Sequence, residues 1–226
     1  MRQNTVFPRP LAVVAAAVLA LFAAFPAWAA SNDAPKGAAQ DQSPPQASLA
    51  PDMHPLAVGQ PFPDVALSPP LNPGEARELG IDPKAKSVTA AEFKAQAVIL
   101  VVYSMYCPFC QREAPELNAL HKLIQDKGLS DRLKIVGLAA GNSPFEVNVF
   151  REKYAIAFPL LPDKDFVAHK ALGQVGTPFY YVLKREGNGF AIVDTHLGCV
   201  SSQAAFLDEV IAKTALGQAP AQGKQP

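Results

Sequence analysis

A continuous apolar run followed by an amphipathic stretch is the clearest pattern in the chain. Residues 97–103 (AVILVVY) carry no charge and are rich in β-branched side chains, which is typical of a strand buried on both faces. Residues 111–124 place apolar positions at helical spacing among polar ones, so we predict an amphipathic helix directly after this strand. Pro115 lies inside that helix and predicts a kink, because proline removes a backbone hydrogen bond.

Apolar and amphipathic segments go on alternating downstream. Strands are predicted at 132–139, 179–184 and 190–196, a short extended piece at 158–161, and helices at 142–154, 165–172 and 202–215. Ser143 followed by Pro144 is typical of an N-cap and a first helical position, and Gly173 predicts the end of a short helix. The tetrapeptide 186–189 (EGNG) predicts a hairpin turn. Early β–α alternation implies parallel strands and the hairpin adds an antiparallel pair, so we predict an α/β domain with a mixed sheet flanked by helices.

The two ends of the chain differ from the middle in composition. Residues 1–29 join a basic start to an apolar run ending in Ala-Trp-Ala, which is typical of a secretory signal peptide. An uncleaved anchor is the alternative, since the apolar run approaches the roughly 20 residues of a membrane span. Both readings predict a periplasmic or otherwise extracytoplasmic protein. The composition of residues 30–55 predicts a disordered Ala/Pro/Gln linker, and that of residues 216–226 predicts a disordered tail. Residues 56–215 remain and suit one domain.

The charge of the chain excludes one class of partner. The 20 Lys and Arg residues balance the 20 Asp and Glu residues, so the formal net charge is zero. The basic side chains are scattered rather than gathered in a stripe, and we expect no nucleic-acid partner. No glycine-rich phosphate loop and no internal repeat is found in the sequence.

The chemistry of the chain centres on Cys107-Pro108-Phe109-Cys110, between the predicted strand and helix. A thiolate at a helix N-terminus is stabilised by unpaired backbone N–H groups and by the helix dipole. Cys107 is therefore a candidate nucleophile, and Cys110 can close an intramolecular disulfide with it. A zinc site is one alternative, but it needs a second pair of ligands, and Cys199 and the four histidines supply none. A purely structural disulfide is the other, but so short a loop gains little stability.

A second motif, Gly176-Thr177-Pro178, directly precedes the predicted strand at 179–184. A cis bond before Pro178 would bring the Thr177 backbone beside the cysteine pair, where it could bind an extended substrate chain. An ordinary trans turn proline is the alternative. Cys199, after the last strand, is either a small buried hydrophobic residue or an exposed thiol that could form a mixed disulfide or a dimer.

The strand, the Cys-Pro-Phe-Cys motif, the proline-containing helix and the distant Thr-Pro pair together resemble the thioredoxin superfamily. Within it, four segments resemble the TlpA/ResA-like periplasmic thiol–disulfide oxidoreductases, which have a redoxin-type domain. These segments are 58–64 (VGQPFPD), 88–93 (VTAAEF), 97–123 (AVILVVYSMYCPFCQREAPELNALHKL) and 158–163 (FPLLPD). The resemblance implies a thioredoxin fold with an N-terminal β extension and a central insertion.

The resemblance also implies a role for each site residue. Cys107 would be the exposed attacking cysteine, Cys110 the buried resolving cysteine and Pro178 the cis proline opposite them. Glu113 falls where ResA-like members carry an acidic residue that tunes thiol acidity and proton transfer, although a solvated helix carboxylate is the alternative. The residues expected to contact substrate surround the cysteines: Tyr106, Pro108, Phe109, Thr177 and Pro178.

Two departures from the family pattern bear on the direction of electron flow. Tyr106 stands where the family often has tryptophan, and Pro108-Phe109 resembles the dipeptides of glutaredoxin-like and Dsb-type proteins. Residues between the cysteines help to set the reduction potential, so these differences leave an oxidising direction open.

The implied function is a thiol–disulfide oxidoreductase acting as a reductase of extracytoplasmic protein disulfides. Its cofactor would be only the Cys107–Cys110 disulfide, with no metal, and its partner a membrane thiol protein that donates or accepts electrons. A DsbA-like oxidase or isomerase is the first alternative. A thiol peroxidase is another, from the Ser104-x-x-Cys107 pattern, although Leu100 replaces the expected proline. A copper-binding chaperone would need a third ligand such as Met105.

Overall fold

The computed structural model describes residues 53–217. The predicted signal segment 1–29, most of the predicted linker and most of the predicted tail lie outside the described residues. Within residues 53–217, none of the helices has the length and apolar character needed to cross a bilayer.

The described chain forms one sheet with helices on both faces. In chain order its elements are α1 (Pro73–Leu79), a 3₁₀ turn (Ala90–Glu92), β1 (Ala97–Tyr103), α2 (Pro108–Asp126), β2 (Leu133–Ala140), α3 (Pro144–Tyr154), β3 (Leu160–Asp163), α4 (Val167–Ala171), β4 (Phe179–Glu186), β5 (Gly189–Leu197) and α5 (Gln203–Thr214). The strand order is β3-β2-β1-β4-β5. The β1–β2 and β2–β3 pairs are parallel, and the β1–β4 and β4–β5 pairs are antiparallel. The predicted mixed α/β sheet is confirmed.

Strand β1 is the centre of the core, and all seven of its residues are buried. Val98, Leu100 and Val102 pack into one hydrophobic cluster with residues of α1, α4 and the segment before β1. Ile99 and Val101 point to the other face, where α2, α3 and α5 pack. Because both faces are covered, the strand is apolar at every position rather than at alternate ones.

Helix α2 begins directly at the cysteine motif, three residues earlier than the periodicity predicted. Pro108 occupies its first turn, where a missing N–H costs nothing. Pro115 lies inside the helix without ending it. Helix α3 begins as predicted: Ser143 is its N-cap, and Glu146 completes a capping box.

The segment before β1 differs from the prediction. Its β structure consists of isolated bridges, Pro61 with Ala191 and Leu67 with Val88, rather than regular strands. The prolines of this segment lack the N–H that a continuous ladder needs. Helix α1 was not predicted, although Asn72 caps its start and Gly80 ends it in the left-handed conformation.

Residues just outside the predicted domain 56–215 also contact the described fold. The His54 N–H donates to the Gly173 carbonyl (2.8 Å), and Leu216, assigned to the tail, is buried. Residues 59–62 run along β5: the Phe62 N–H donates to the Phe190 carbonyl (2.7 Å), and neighbouring bonds join Gly59 and Gln60 to Ile192 (2.8 and 2.9 Å). Three further elements, α3, β3 and α4, lie between β2 and β4.

Candidate active site

Cys107 lies where β1 ends and α2 begins. A turn over residues 104–107 joins them, closed by a hydrogen bond from the Cys107 N–H to the Ser104 carbonyl (3.1 Å). Cys107 is the N-cap of α2, so its sulfur lies beside the unpaired N–H groups of the first helical turn. Its thiol donates to the Thr177 carbonyl, 3.1 Å away.

The thiol pKa values of the two motif cysteines are shifted in opposite directions. Burial by itself would raise the pKa of the Cys107 thiol, but hydrogen bonds from the Thr177 side chain and from the backbone of Cys110 and Phe109 bring it below its usual value. Cys110 is almost fully buried, and burial raises the pKa of its thiol to about 12, with a further rise from a thiolate at Cys107. Cys107 is thus suited to act as the nucleophile, whereas Cys110 stays protonated near neutral pH.

The Thr177–Pro178 pair lies opposite Cys107, although it is 70 residues away along the chain. The peptide bond between them is cis. The Pro178 side chain is buried and Thr177 is half-buried. The Thr177 carbonyl can accept this hydrogen bond only while the Cys107 thiol is protonated. When the thiol ionises, the bond is lost, and the N–H groups of α2 are the donors that can stabilise the sulfur.

The predicted substrate-contacting residues around Cys107 are exposed. Tyr106 keeps 65% and Phe109 54% of its surface accessible, and Pro108 is exposed between the cysteines. The Arg112 guanidinium lies 4.6 Å from the centre of the Phe109 ring. The structure therefore places these apolar side chains next to the nucleophile, where contact with a substrate remains a prediction.

Glu113 is buried beneath the motif with only 2% of its surface exposed, so the solvated-carboxylate alternative is wrong. Its Oε1 accepts hydrogen bonds from the Tyr180 hydroxyl (2.5 Å) and from the Val200 N–H (3.0 Å). Burial and this carboxylate raise the pKa of Tyr180, so the phenol remains the donor. A role for Glu113 in proton transfer remains a prediction.

Cys199 is exposed at the edge of this site, so the buried-hydrophobe alternative is wrong. Its Sγ lies 3.7 Å from the Phe109 carbonyl. Its partial burial and the neighbouring Glu113 carboxylate raise the pKa of its thiol to about 11. The register of the β4–β5 hairpin could have indicated where Cys199 lies. Phe179 pairs with Leu197, and continuing this antiparallel register by two residues places Cys199 opposite Thr177.

Three polar contacts of the site had no signal in the sequence. Tyr180 binds Glu113, the Asn142 Oδ1 accepts the Met105 N–H (2.8 Å), and Glu146 accepts the Tyr106 hydroxyl. Each contact joins residues 37 to 67 positions apart, so local spacing could not predict it. In the part of the chain that the structure describes, no group of three or more His, Cys, Asp or Glu side chains is arranged to hold a metal ion.

Residues 58–193 match the AhpC/TSA family. The chain belongs to this family. The match runs from before β1 into β5 and includes both motif cysteines and the Thr-Pro pair. A relative in Halalkalibacterium halodurans, thiol-disulfide oxidoreductase ResA, is 26% identical over 122 residues, which cover 54% of this chain and 65% of the relative. A ResA of Geobacillus thermodenitrificans is 24% identical over 132 residues, 58% of this chain and 66% of the relative. The chain thus spans less than two thirds of the length of these curated relatives.

Solved structures agree with the fold. The thioredoxin domain of a thiol-disulfide oxidoreductase from Bacteroides vulgatus superposes with a TM-score of 0.51 at 20% identity. The superposition covers 69% of this chain and 99% of that domain. Together with the family match and the ResA relatives, this confirms the thioredoxin fold and the predicted resemblance.

Proposed function

We propose that this AhpC/TSA-family protein is a thiol–disulfide oxidoreductase that reduces disulfide bonds in protein substrates. The observation that carries the proposal is the contrast between its two motif cysteines. Cys107 is accessible, lies at a helix N-terminus and has a lowered thiol pKa. Cys110 is buried one helical turn later with a raised thiol pKa. The thiol-disulfide oxidoreductase names of the relatives support the same activity.

The reaction proceeds in two exchanges. The Cys107 thiolate attacks one sulfur of the substrate disulfide, so a mixed disulfide forms and the other substrate sulfur leaves as a thiolate. Cys110 then gives its proton to solvent and attacks the Cys107 sulfur, which closes the Cys107–Cys110 disulfide and releases the second substrate sulfur as a thiolate. The two substrate thiolates take up protons from solvent. Two electrons pass from the cysteine pair to the substrate, and no cofactor beyond this pair takes part.

The way in which the Cys107 thiolate is stabilised favours the reducing direction. Strongly oxidising pairs have a reduced form that is held by an extensively stabilised thiolate. Here, neutral donors lower the pKa of Cys107: the Thr177 side chain and backbone groups of α2. Uncharged donors stabilise a thiolate less than a neighbouring cation would, which favours a reducing potential.

The protein would act outside the cytoplasm, as the N-terminal sequence pattern indicates. Each turnover leaves the cysteine pair oxidised, so a reducing role also requires a thiol partner that returns two electrons. We assign this task to a membrane thiol protein.

Measuring the reduction potential of the Cys107–Cys110 pair tests the direction. The protein is equilibrated in a series of dithiothreitol and glutathione buffers, and the remaining thiols are trapped and counted by mass spectrometry. A value near the thioredoxin potential of about −270 mV supports the reductase. A value near about −120 mV would replace it by the DsbA-like oxidase, which the Pro108-Phe109 dipeptide favours.

A second assay tests the activity itself. Wild-type protein and the Cys107→Ser variant are mixed with a disulfide-containing protein and dithiothreitol, and substrate reduction is followed. The wild type should accelerate reduction and the variant should not. Equal rates would reject disulfide exchange, and consumption of hydrogen peroxide in place of the disulfide would identify a thiol peroxidase.

A further inference from the structure

The turn that carries Cys107 is held by one short segment from another part of the fold. Met105 and Tyr106 are its two central residues, between the hydrogen-bonded Ser104 and Cys107. Residues 142–146, where β2 leads into α3, contact both of them. Asn142 accepts from the Met105 backbone, and Glu146 accepts from the Tyr106 hydroxyl.

Asn142 is completely buried, with none of its surface accessible. Its Oδ1 accepts the Met105 N–H at 2.8 Å, whereas its Nδ2 has no hydrogen-bond partner among the described residues. A buried donor without a partner costs free energy. An apolar residue would remove that cost but would leave the Met105 N–H without its acceptor. The hydrogen bond to the Met105 N–H is therefore the stabilising interaction that the buried Asn142 amide supplies.

Glu146 is held in place by hydrogen bonds that do not involve Tyr106. Its Oε2 accepts from the Ser143 N–H (2.7 Å) and the Ser143 hydroxyl (2.6 Å) as part of the α3 capping box. Hydrogen bonds from Ser143 and Tyr106 lower the pKa of this carboxyl to about 2. Because it is ionised at any pH at which a thiolate forms, the carboxylate is a constant acceptor for the Tyr106 hydroxyl.

The position of this turn decides where the Cys107 sulfur lies. The next residue after Tyr106 is the nucleophile, which must meet both the N–H groups of α2 and the Thr177 carbonyl. A third bond, from Gln111 Nε2 to the Met105 carbonyl (2.8 Å), ties the turn to α2 itself. The bonds from 142–146 connect its two central residues to a different element, and the Cys107 thiol adds the contact with Thr177.

We propose that Asn142 and Glu146 are positioning residues that hold the 104–107 turn and thereby place the Cys107 sulfur at the N-terminus of α2. The inference rests on the proposed function only in taking Cys107 as the attacking thiol. It assigns a task to the β2–α3 junction, which does not itself touch a reacting atom.

The test measures the acidity of Cys107 by its alkylation. Wild type, Tyr106→Phe, Glu146→Gln and the double variant are reacted with iodoacetamide across a pH series, and the Cys107 peptide is quantified by mass spectrometry. Each single variant should raise the midpoint of the pH profile. A rise of about half a unit slows alkylation at neutral pH about threefold. The double variant should be no worse than the single ones, because both remove the same contact.

The matched control is Asn72→Ala, which removes the side chain that caps α1 by accepting from the Gly74 N–H (2.7 Å) and leaves residues 142–146 unchanged. It should lower the melting temperature without moving the midpoint. The proposal is overturned if Tyr106→Phe and Glu146→Gln keep the wild-type midpoint, or if Asn72→Ala shifts it equally. Alkylation requires no protein substrate, so this result is independent of whether the protein reduces disulfides.

Asn142→Ala tests the second contact, with Thr214→Val as its control. Thr214 donates a buried hydroxyl to the Val210 carbonyl (2.6 Å) at the far end of α5, so its loss should destabilise the protein without changing Cys107. Asn142→Ala should raise the alkylation midpoint, and an unchanged midpoint in the folded variant would remove Asn142 from the proposal. If this variant fails to fold, Tyr106→Phe still decides the matter, since its hydroxyl contact lies at the surface.

Discussion

At the scale of single residues, the three cysteines of this protein share one small region but differ in environment. Cys107 and Cys199 are both accessible, yet their thiol pKa values move in opposite directions. The N-terminus of α2 and Thr177 stabilise a thiolate at Cys107, whereas burial and Glu113 oppose one at Cys199. Exposure alone would give a wrong ranking of their reactivity, because the thiolate is the reactive form.

Limited alkylation should therefore modify Cys107 first. At a given pH the fraction of thiolate falls as the thiol pKa rises. The pKa of Cys107 is lowered, whereas those of Cys199 and Cys110 are raised to about 11 and about 12. Peptide mapping after substoichiometric iodoacetamide at pH 7.5 (about one unit below the free thiol pKa) measures the order. In Glu113→Gln, where a negative charge is lost, Cys199 should react faster than in the wild type. Modification of Cys199 before Cys107 in the wild type would contradict the assignment.

Replacing the resolving cysteine should trap the first exchange. In Cys110→Ser the Cys107 thiolate can still attack, but no buried thiol remains to release the substrate. A mixed disulfide with a protein substrate should then accumulate, visible as a dithiothreitol-sensitive adduct on a non-reducing gel. Cys107→Ser is the control and should form none. Adducts through Cys199 in that control would show that the third thiol also attacks substrates.

At the scale of elements, the hairpin of β4 and β5 depends on one glycine. Gly187 has φ of +54°, whereas Gly189 two residues later is not in the left-handed region, and a Cβ would meet nothing within 4 Å at either. Substituting alanine at Gly187 therefore introduces backbone strain without a clash.

Gly187→Ala should lower the free energy of unfolding by about 1 kcal/mol, because a left-handed backbone is unfavourable for a residue with a Cβ. Urea denaturation measures the change. Gly189→Ala is the matched control, with the same added methyl group in equally open space, and should be close to neutral. Equal losses in the two variants would show that the conformation of Gly187 is not the cause.

Elements with a local signal were predicted well, and those that depend on distant partners were not. The apolar run of β1 and the Ser143-Pro144 start of α3 were confirmed because burial pattern and capping act within a few residues. The cysteines were placed at a helix N-terminus for the same reason. By contrast, the contacts of Asn142, Glu146 and Tyr180 form only when the sheet brings separate strands together.

At the scale of the whole molecule, one buried ion pair joins the N-terminal segment to the rest of the domain. Arg151 of α3 pairs with Glu75 of α1, and Glu75 Oε2 also accepts the Leu160 N–H at the start of β3 (3.2 Å). Burial raises the pKa of Glu75 despite Arg151. The pair therefore fixes three elements at a considerable desolvation cost.

Breaking this pair from one side should be costly. Arg151→Met leaves the Glu75 carboxylate buried without its cation, and we expect a loss of about 3 kcal/mol in the free energy of unfolding. Adding Glu75→Gln should recover part of that loss, because the buried charge disappears too. Lys122→Met is the control: it breaks the exposed pair with Asp126 and should change stability by less than about 0.5 kcal/mol. No recovery in the double variant would contradict the charge-based explanation.

The bonds between residues 59–62 and β5 have a consequence for how the molecule behaves among its own copies. A strand at the border of a sheet offers free N–H and C=O groups to which a strand of another molecule can add. In this protein, N–H and C=O groups at the outer border of β5 are already hydrogen-bonded to Gly59, Gln60 and Phe62. Pro61 and Pro63 within that covering segment lack the N–H needed to pass the ladder outward. The proline-rich segment therefore protects the part of β5 around Phe190 and Ile192 from the addition of a further strand, while the short strand β3 forms the opposite edge of the sheet.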